Sequence, residues 1–261
     1  MLDNTFYFTD EEYDVFKLEK QNSISKETRD IRDSVKEKLL KLDKELSRFI
    51  VINGYDLHTH YNPQNTVSST RPNVFNKGMV NWLGIRYGKS EPAIKALNEF
   101  AESKADKSGF QKYACLQLDI VDTGVDIGIY FAVPHDSIDR MIVHQYLDND
   151  QDGEYTEKLI KCISNLKGYG YKWSVSYKEV ENYKEVWKEA VFDIDSNDAE
   201  KFIEFFNKYD REGAYSSMLQ HYPRYDDRIK SDKIVLECEK IFSQLYELYQ
   251  LMTYHVKKVE E

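Results

Sequence analysis

The chain has 261 residues, of which 41% are hydrophobic, 14% aromatic and 31% charged, with a net charge of −10. That composition belongs to a folded protein with a sizeable core and excludes a disordered or low-complexity chain. No apolar run approaches the roughly 20 residues of a membrane span, no basic stretch leads into an apolar one near the N-terminus, and Cys115, Cys162 and Cys238 are too few and too scattered for a disulfide framework. The expectation is a cytoplasmic protein with buried free thiols and no membrane partner.

Thr9 ahead of Asp10, Glu11 and Glu12 reads as a helix N-cap, and Ser25 with Glu27 opens a second, longer helix. There Ile31, Val35, Leu39, Leu42, Leu46 and Phe49 recur every three or four residues and predict one apolar stripe. Phe49 to Leu57 predicts a strand and Met79 to Tyr87 another, with Pro63 and Pro72 punctuating a polar loop between them. Glu91 to Lys104 predicts a helix opened by Pro92.

Ala114 to Val121 and Val125 to Val133 are apolar runs joined by Asp122-Thr123-Gly124, a hairpin signature. Alternation puts Gln117 and Asp119 on one face of the first strand and Leu116, Leu118 and Ile120 on the other; on the second strand Asp126 and Tyr130 oppose Val125, Ile127 and Ile129. Asp136 to Leu147 and Tyr155 to Leu166 predict helices around an acidic loop, Tyr171 to Tyr177 and Val186 to Ile194 strands, and Asn197 to Tyr209 a helix. A closing helix of about 30 residues from Arg228 carries a stripe of Ile234, Cys238, Ile241, Leu245, Leu248 and Met252, suited to the early helix or to a second subunit in a homodimer.

Helices and strands without regular alternation predict an α+β fold, with a mixed or mostly antiparallel central sheet, flanking helices, and long N- and C-terminal helices. One domain spans 1–261: a helical N-terminal segment (1–48), a sheet-containing core (49–195) and a helical C-terminal segment (196–261).

Asp56 and Glu91 bracket 34 residues that contain no carboxylate, in a chain with 46 of them. Arg71, Lys77, Arg86 and Lys89 give this stretch a charge of +4 and leave −14 on the rest. Asn65, Asn73 and Asn76 add paired donors and acceptors, His58 and His60 lie at its start, and Tyr61, Phe75 and Trp82 are interleaved. Side chains of these kinds contact phosphates, base edges and base faces, so the stretch predicts a nucleic-acid contact.

Four constellations are candidates for chemistry. The hairpin carboxylates Asp119 and Asp126 predict a magnesium pair, with Glu189 on a later strand as third acidic residue, because metal-dependent nucleases activate water and hold the leaving oxygen that way. Glu102-Ser103-Lys104 has the acidic-spacer-lysine spacing of restriction-type nucleases but falls on a predicted helix. His58-Thr59-His60 resembles the HxH that opens amidohydrolase and PHP-type metal hydrolases, a resemblance confined to five residues from Asp56. Asp148, Asp150, Asp152 and Gly153 resemble the start of an EF-hand loop, but its closing position falls on Leu159, with Glu157 two residues early. His221, Arg224 and Arg228, with Tyr222 and Tyr225, form a cationic stretch read as a cap before the last helix.

Together these features predict a DNA-interacting, magnesium-dependent endonuclease of restriction or phage-defence type. A non-catalytic nucleic-acid recognition module and a histidine-dependent metal hydrolase are the alternatives.

Overall fold

A computed structural model describes residues 8–59, 66–74, 76–100, 113–131, 138–181, 184–211 and 215–253. The chain runs through α1 (Asp10–Asp14), α2 (Lys26–Ile52), β1 (His58–Thr59), β2 (Trp82–Gly88), α3 (Glu91–Phe100), β3 (Cys115–Val121), β4 (Gly124–Phe131), α4 (Ile138–Asn149), α5 (Glu154–Asn165), β5 (Lys172–Glu181), β6 (Lys184–Asp193), α6 (Lys201–Tyr209), β7 (Tyr215–Pro223) and α7 (Lys233–Leu251). Among the described residues one antiparallel sheet has the order β1-β2-β3-β4-β7-β5-β6. The fold is therefore α+β, as composition and patterning predict.

Local chemistry sets the helix ends. Thr9 Oγ1 accepts from the Glu12 amide and Glu12 Oε2 from the Thr9 amide, a reciprocal capping box. Ser25 Oγ accepts from the Thr28 amide at 3.2 Å and opens α2. The stretch from Phe49, read as a strand, instead continues α2 to Ile52, because Ile50 extends the stripe of Val35, Leu39, Leu42 and Leu46 by one more turn. Burial along that stripe overrides the strand preference of Ile50-Val51-Ile52. Asn53 caps the end and Gly54, at φ 66°, lets the Tyr55 amide reach back to the Ile50 carbonyl and the Gly54 amide to that of Val51.

The expected helical C-terminal segment also contains a strand. Tyr215–Pro223 is strand β7, inserted between β4 and β5, and α7 has 19 residues beginning at Lys233. Arg228 lies in the short 3-10 turn Asp227–Ile229 that precedes it. Ser216, Met218 and Tyr222 turn inward from β7, an alternation obscured by the polar residues between them.

The residues group into two compact units, each built from separate stretches of chain. The first comprises 1–88, 117–127 and 221–243. Its core packs the stripes of α2 and of the first half of α7 around Leu83, Ile85 and Tyr87 of β2; the Tyr87 hydroxyl donates to Asp43 at 2.7 Å and its ring meets Phe242 edge-on. Arg32, fully buried, donates to the carbonyls of Val15, Lys20, Gln21 and Ser23 and so organises the link between α1 and α2.

The second unit comprises 89–116, 128–220 and 244–261. Trp173 of β5 is its hub, with Phe131, Phe202 and Phe206 against the ring and Ser216 Oγ accepting from its indole at 2.6 Å. Arg140 and His144 both meet Asp210 in the same interior. Ile234, Cys238, Ile241, Leu245, Leu248 and Met252 are all buried inside the chain, so the fold itself uses the stripe that was a candidate dimer seam.

Candidate active site

Strand alternation separates two faces of the sheet. On β2, Leu83, Ile85 and Tyr87 enter the core of the first unit, which sends Trp82, Gly84 and Arg86 to the other side. On β3 and β4 the same rule puts Gln117, Asp119 and Asp126 on that other side, as the sequence predicts. His221 of β7 joins them. One polar row, Arg86, Gln117, Asp119, Asp126 and His221, thus crosses four neighbouring strands within the first unit.

The inner end of the row is enclosed. Arg86 is 6% exposed, lies 4.4 Å from the centre of the Trp82 ring and donates through Nε to Gln117 Oε1 at 3.0 Å. Asp119 is equally buried, and its Oδ1 has no hydrogen-bond partner among the described residues. Gly84 is required beside it: a Cβ at that position would lie 1.9 Å from Asp119 Oδ1 and 2.4 Å from the Leu118 carbonyl oxygen. Burial pushes the Asp119 carboxyl up to about 7; the Arg86 charge opposes that rise and the Asp126 charge adds to it.

The outer end is open. His221 Nδ1 lies 2.7 Å from Asp126 Oδ1, with the imidazole 44% and the carboxylate 23% exposed. Burial raises the Asp126 carboxyl and the bond to His221 opposes the rise. The row therefore pairs a sealed carboxyl with a histidine-aspartate pair that solvent reaches. Counting along the hairpin puts Asp126 on this face, whereas the sequence assigns His221 to a cap before the last helix, because no local pattern marks β7 as the neighbour of β4.

A hydrated magnesium ion does not fit the carboxyl pair as packed. Magnesium demands near-octahedral oxygen ligands and keeps several waters, whereas Asp119 Oδ1 is sealed against Gly84 and Asp126 already receives His221. Glu189 is exposed on β6 opposite Ser176, with β7 and β5 between β6 and β4 in the strand order. Among the described residues no three His, Cys, Asp or Glu side chains come together to hold a metal.

The predicted nucleic-acid contact is divided by burial. Lys89 is 6% exposed and bonds both oxygens of Asp139 at 2.8 and 3.0 Å, while Asp139 also accepts from the Ala114 amide. Lys89 and Arg86 are thus both enclosed with partners of their own, which the +4 count alone does not show. Asn73 and Asn76 accept from each other's amides and donate their side-chain nitrogens to the Arg71 carbonyl, so both build their own turn. Arg71 and Lys77 remain exposed on that loop, without an ion pair to any described residue. The same loop runs beside β2, where Ser68 Oγ accepts from the Gly84 amide and the Ser68 amide donates to the Gly84 carbonyl.

His58 is exposed with Nε2 2.9 Å from Asp56; His60, Asn65, Tyr61, Phe75 and Glu102-Ser103-Lys104 lie outside the described residues. The acidic loop is a helix cap: Asp150 accepts from the amides of Tyr155 and Thr156, Asp152 from that of Glu154, and Asp148 pairs with Arg211. Arg224 is held by Asp14 and the Asp122 carbonyl, and Arg228 by Asp226. No protein-family model matches this chain, and no curated protein resembles it significantly.

Proposed function

We propose that the chain cleaves phosphodiester bonds of a nucleic acid, with the outer end of the polar row as its reaction centre. The observation that carries this reading is the Asp126–His221 pair at 2.7 Å, whose carboxylate is largely enclosed and whose imidazole faces solvent. A carboxylate on one ring nitrogen orients the imidazole and leaves the other nitrogen to move a proton. Arg71 and Lys77, exposed on the loop whose Ser68 bonds Gly84, are cations of the same unit that can meet a phosphate backbone.

The test is incubation with end-labelled single- and double-stranded DNA and RNA, with magnesium in one arm and EDTA in another. Cleavage in any arm that is lost in Asp126→Ala supports the reading. An intact substrate in every arm, from a chain whose circular dichroism shows it folded, refutes it. Retarded but uncut nucleic acid, lost in Arg71→Ala with Lys77→Ala, would mean a recognition module instead. Cutting only with magnesium would return the metal-dependent endonuclease.

A further inference from the structure

We propose that the substrate is RNA and that His221 is the general base that activates its 2′-hydroxyl. The inference rests on the phosphodiesterase reading and names the substrate class of that same site.

Splitting a phosphodiester with water at neutral pH calls for a strongly activated water, which metal-dependent enzymes obtain from a bound ion. The packing of Asp119 against Gly84 buries Oδ1 and takes that oxygen away from a hydrated ion. What the row presents to solvent is an imidazole, a base matched to a hydroxyl that is already held in place. RNA carries such a hydroxyl next to every phosphate. An intramolecular nucleophile with good alignment gains effective molarities on the order of 10⁵ M or more, which removes much of the barrier that an ion would otherwise have to lower. DNA lacks this group.

The arrangement sets His221 up for the step. A carboxylate oxygen 2.7 Å from Nδ1 favours the hydrogen on that nitrogen, which leaves the lone pair on Nε2. Around it the row supplies Asp126 on β4, Asp119 on β3 and Arg86 on β2, so Asp126 is the positioning residue and His221 the catalytic one. In the reaction Nε2 takes the proton of the 2′-hydroxyl, the 2′-oxygen bonds to phosphorus, and the bond from phosphorus to the 5′-oxygen breaks. The leaving 5′-oxygen gains a proton from solvent and the imidazolium returns one to solvent. The products are a 2′,3′-cyclic phosphate and a 5′-hydroxyl, with no net consumption of water and no redox change.

The deciding experiment uses the full chain on an RNA oligonucleotide in EDTA, beside the same oligonucleotide with 2′-deoxy sugars. RNA is expected to be cut to fragments that carry a 2′,3′-cyclic phosphate by mass spectrometry, and the deoxy version is expected to stay intact. His221→Ala should lose about 10²-fold or more in rate, with recovery on adding free imidazole; Asp126→Asn should lose less and should shift the ring ¹⁵N signals of His221 away from the single tautomer. Equal cutting of the deoxy strand, a requirement for magnesium, or a His221→Ala chain within about threefold of the native rate would overturn this inference while leaving phosphodiester cleavage in place. A native chain that cuts neither strand, in EDTA or with magnesium added, overturns both.

Discussion

Asp119 is a carboxyl held where its charged form is disfavoured, and that has a measurable cost. Its folded pKa of about 7 lies above the ordinary aspartate value, so between roughly pH 4 and 7 the folded chain binds more protons than the unfolded one. Stability from this group is therefore fully present at low pH and declines as pH rises through 7, with a total on the order of 4 kcal/mol. Asp119→Asn removes the titration and should stabilise the chain at pH 8 relative to pH 5, when urea midpoints of the two proteins are compared at both pH values. A constant difference between the proteins would show that burial of Asp119 is not what shifts it. Gly84 is the other half of this contact. Gly84→Ala places a methyl on Asp119 Oδ1 and on the Leu118 carbonyl, and should cost about 2 kcal/mol or more, because neither β2 nor β3 can move far from the other within a sheet.

At the scale of elements, the sequence was most legible where one periodicity or one turn decided the outcome. The hairpin of β3 and β4 follows from two apolar runs around Asp122-Thr123, and the caps at Thr9 and Ser25 follow from single hydroxyls. It was least legible where two signals competed. Ile50-Val51-Ile52 is β-branched throughout, yet only Ile50 is buried and Val51 and Ile52 face solvent, a pattern that belongs to a helix. The decisive signal lay just beyond, in Asn53-Gly54. Gly54→Ala should therefore destabilise the end of α2 by about 1 kcal/mol, since an alanine at φ 66° is strained and the reach-back bond from Tyr55 depends on that turn. A thermal midpoint unchanged from the native one would contradict this account of the helix end. The site shows the same division. Asp119 and Asp126 can be placed on one face by counting along the hairpin, but His221 reaches Asp126 only because β7, distant in sequence, lies next to β4, and no local pattern encodes that pairing.

For the molecule as a whole, charge argues against tight nucleic-acid binding and limits how it can occur. The net charge is −10, and of the four cations in the carboxylate-free stretch, Arg86 and Lys89 are enclosed with their own partners, so Arg71 and Lys77 are the two left to meet phosphates. Binding that displaces counterions from two phosphates weakens with salt along a logarithmic slope of about −1.4 for a single strand, far shallower than that of a protein clamped by many cations. Arg71→Ala with Lys77→Ala should bring the slope close to zero, while Lys89→Met should leave it unchanged and instead lower stability by roughly 3 kcal/mol or more, because Asp139 would stay buried without its cation. Fluorescence anisotropy with a labelled single strand across a salt series, together with urea unfolding of each variant, separates these effects. A slope that survives the double substitution would place the cationic surface elsewhere on the chain; a slope that falls with Lys89→Met would show that the buried ion pair opens to the ligand.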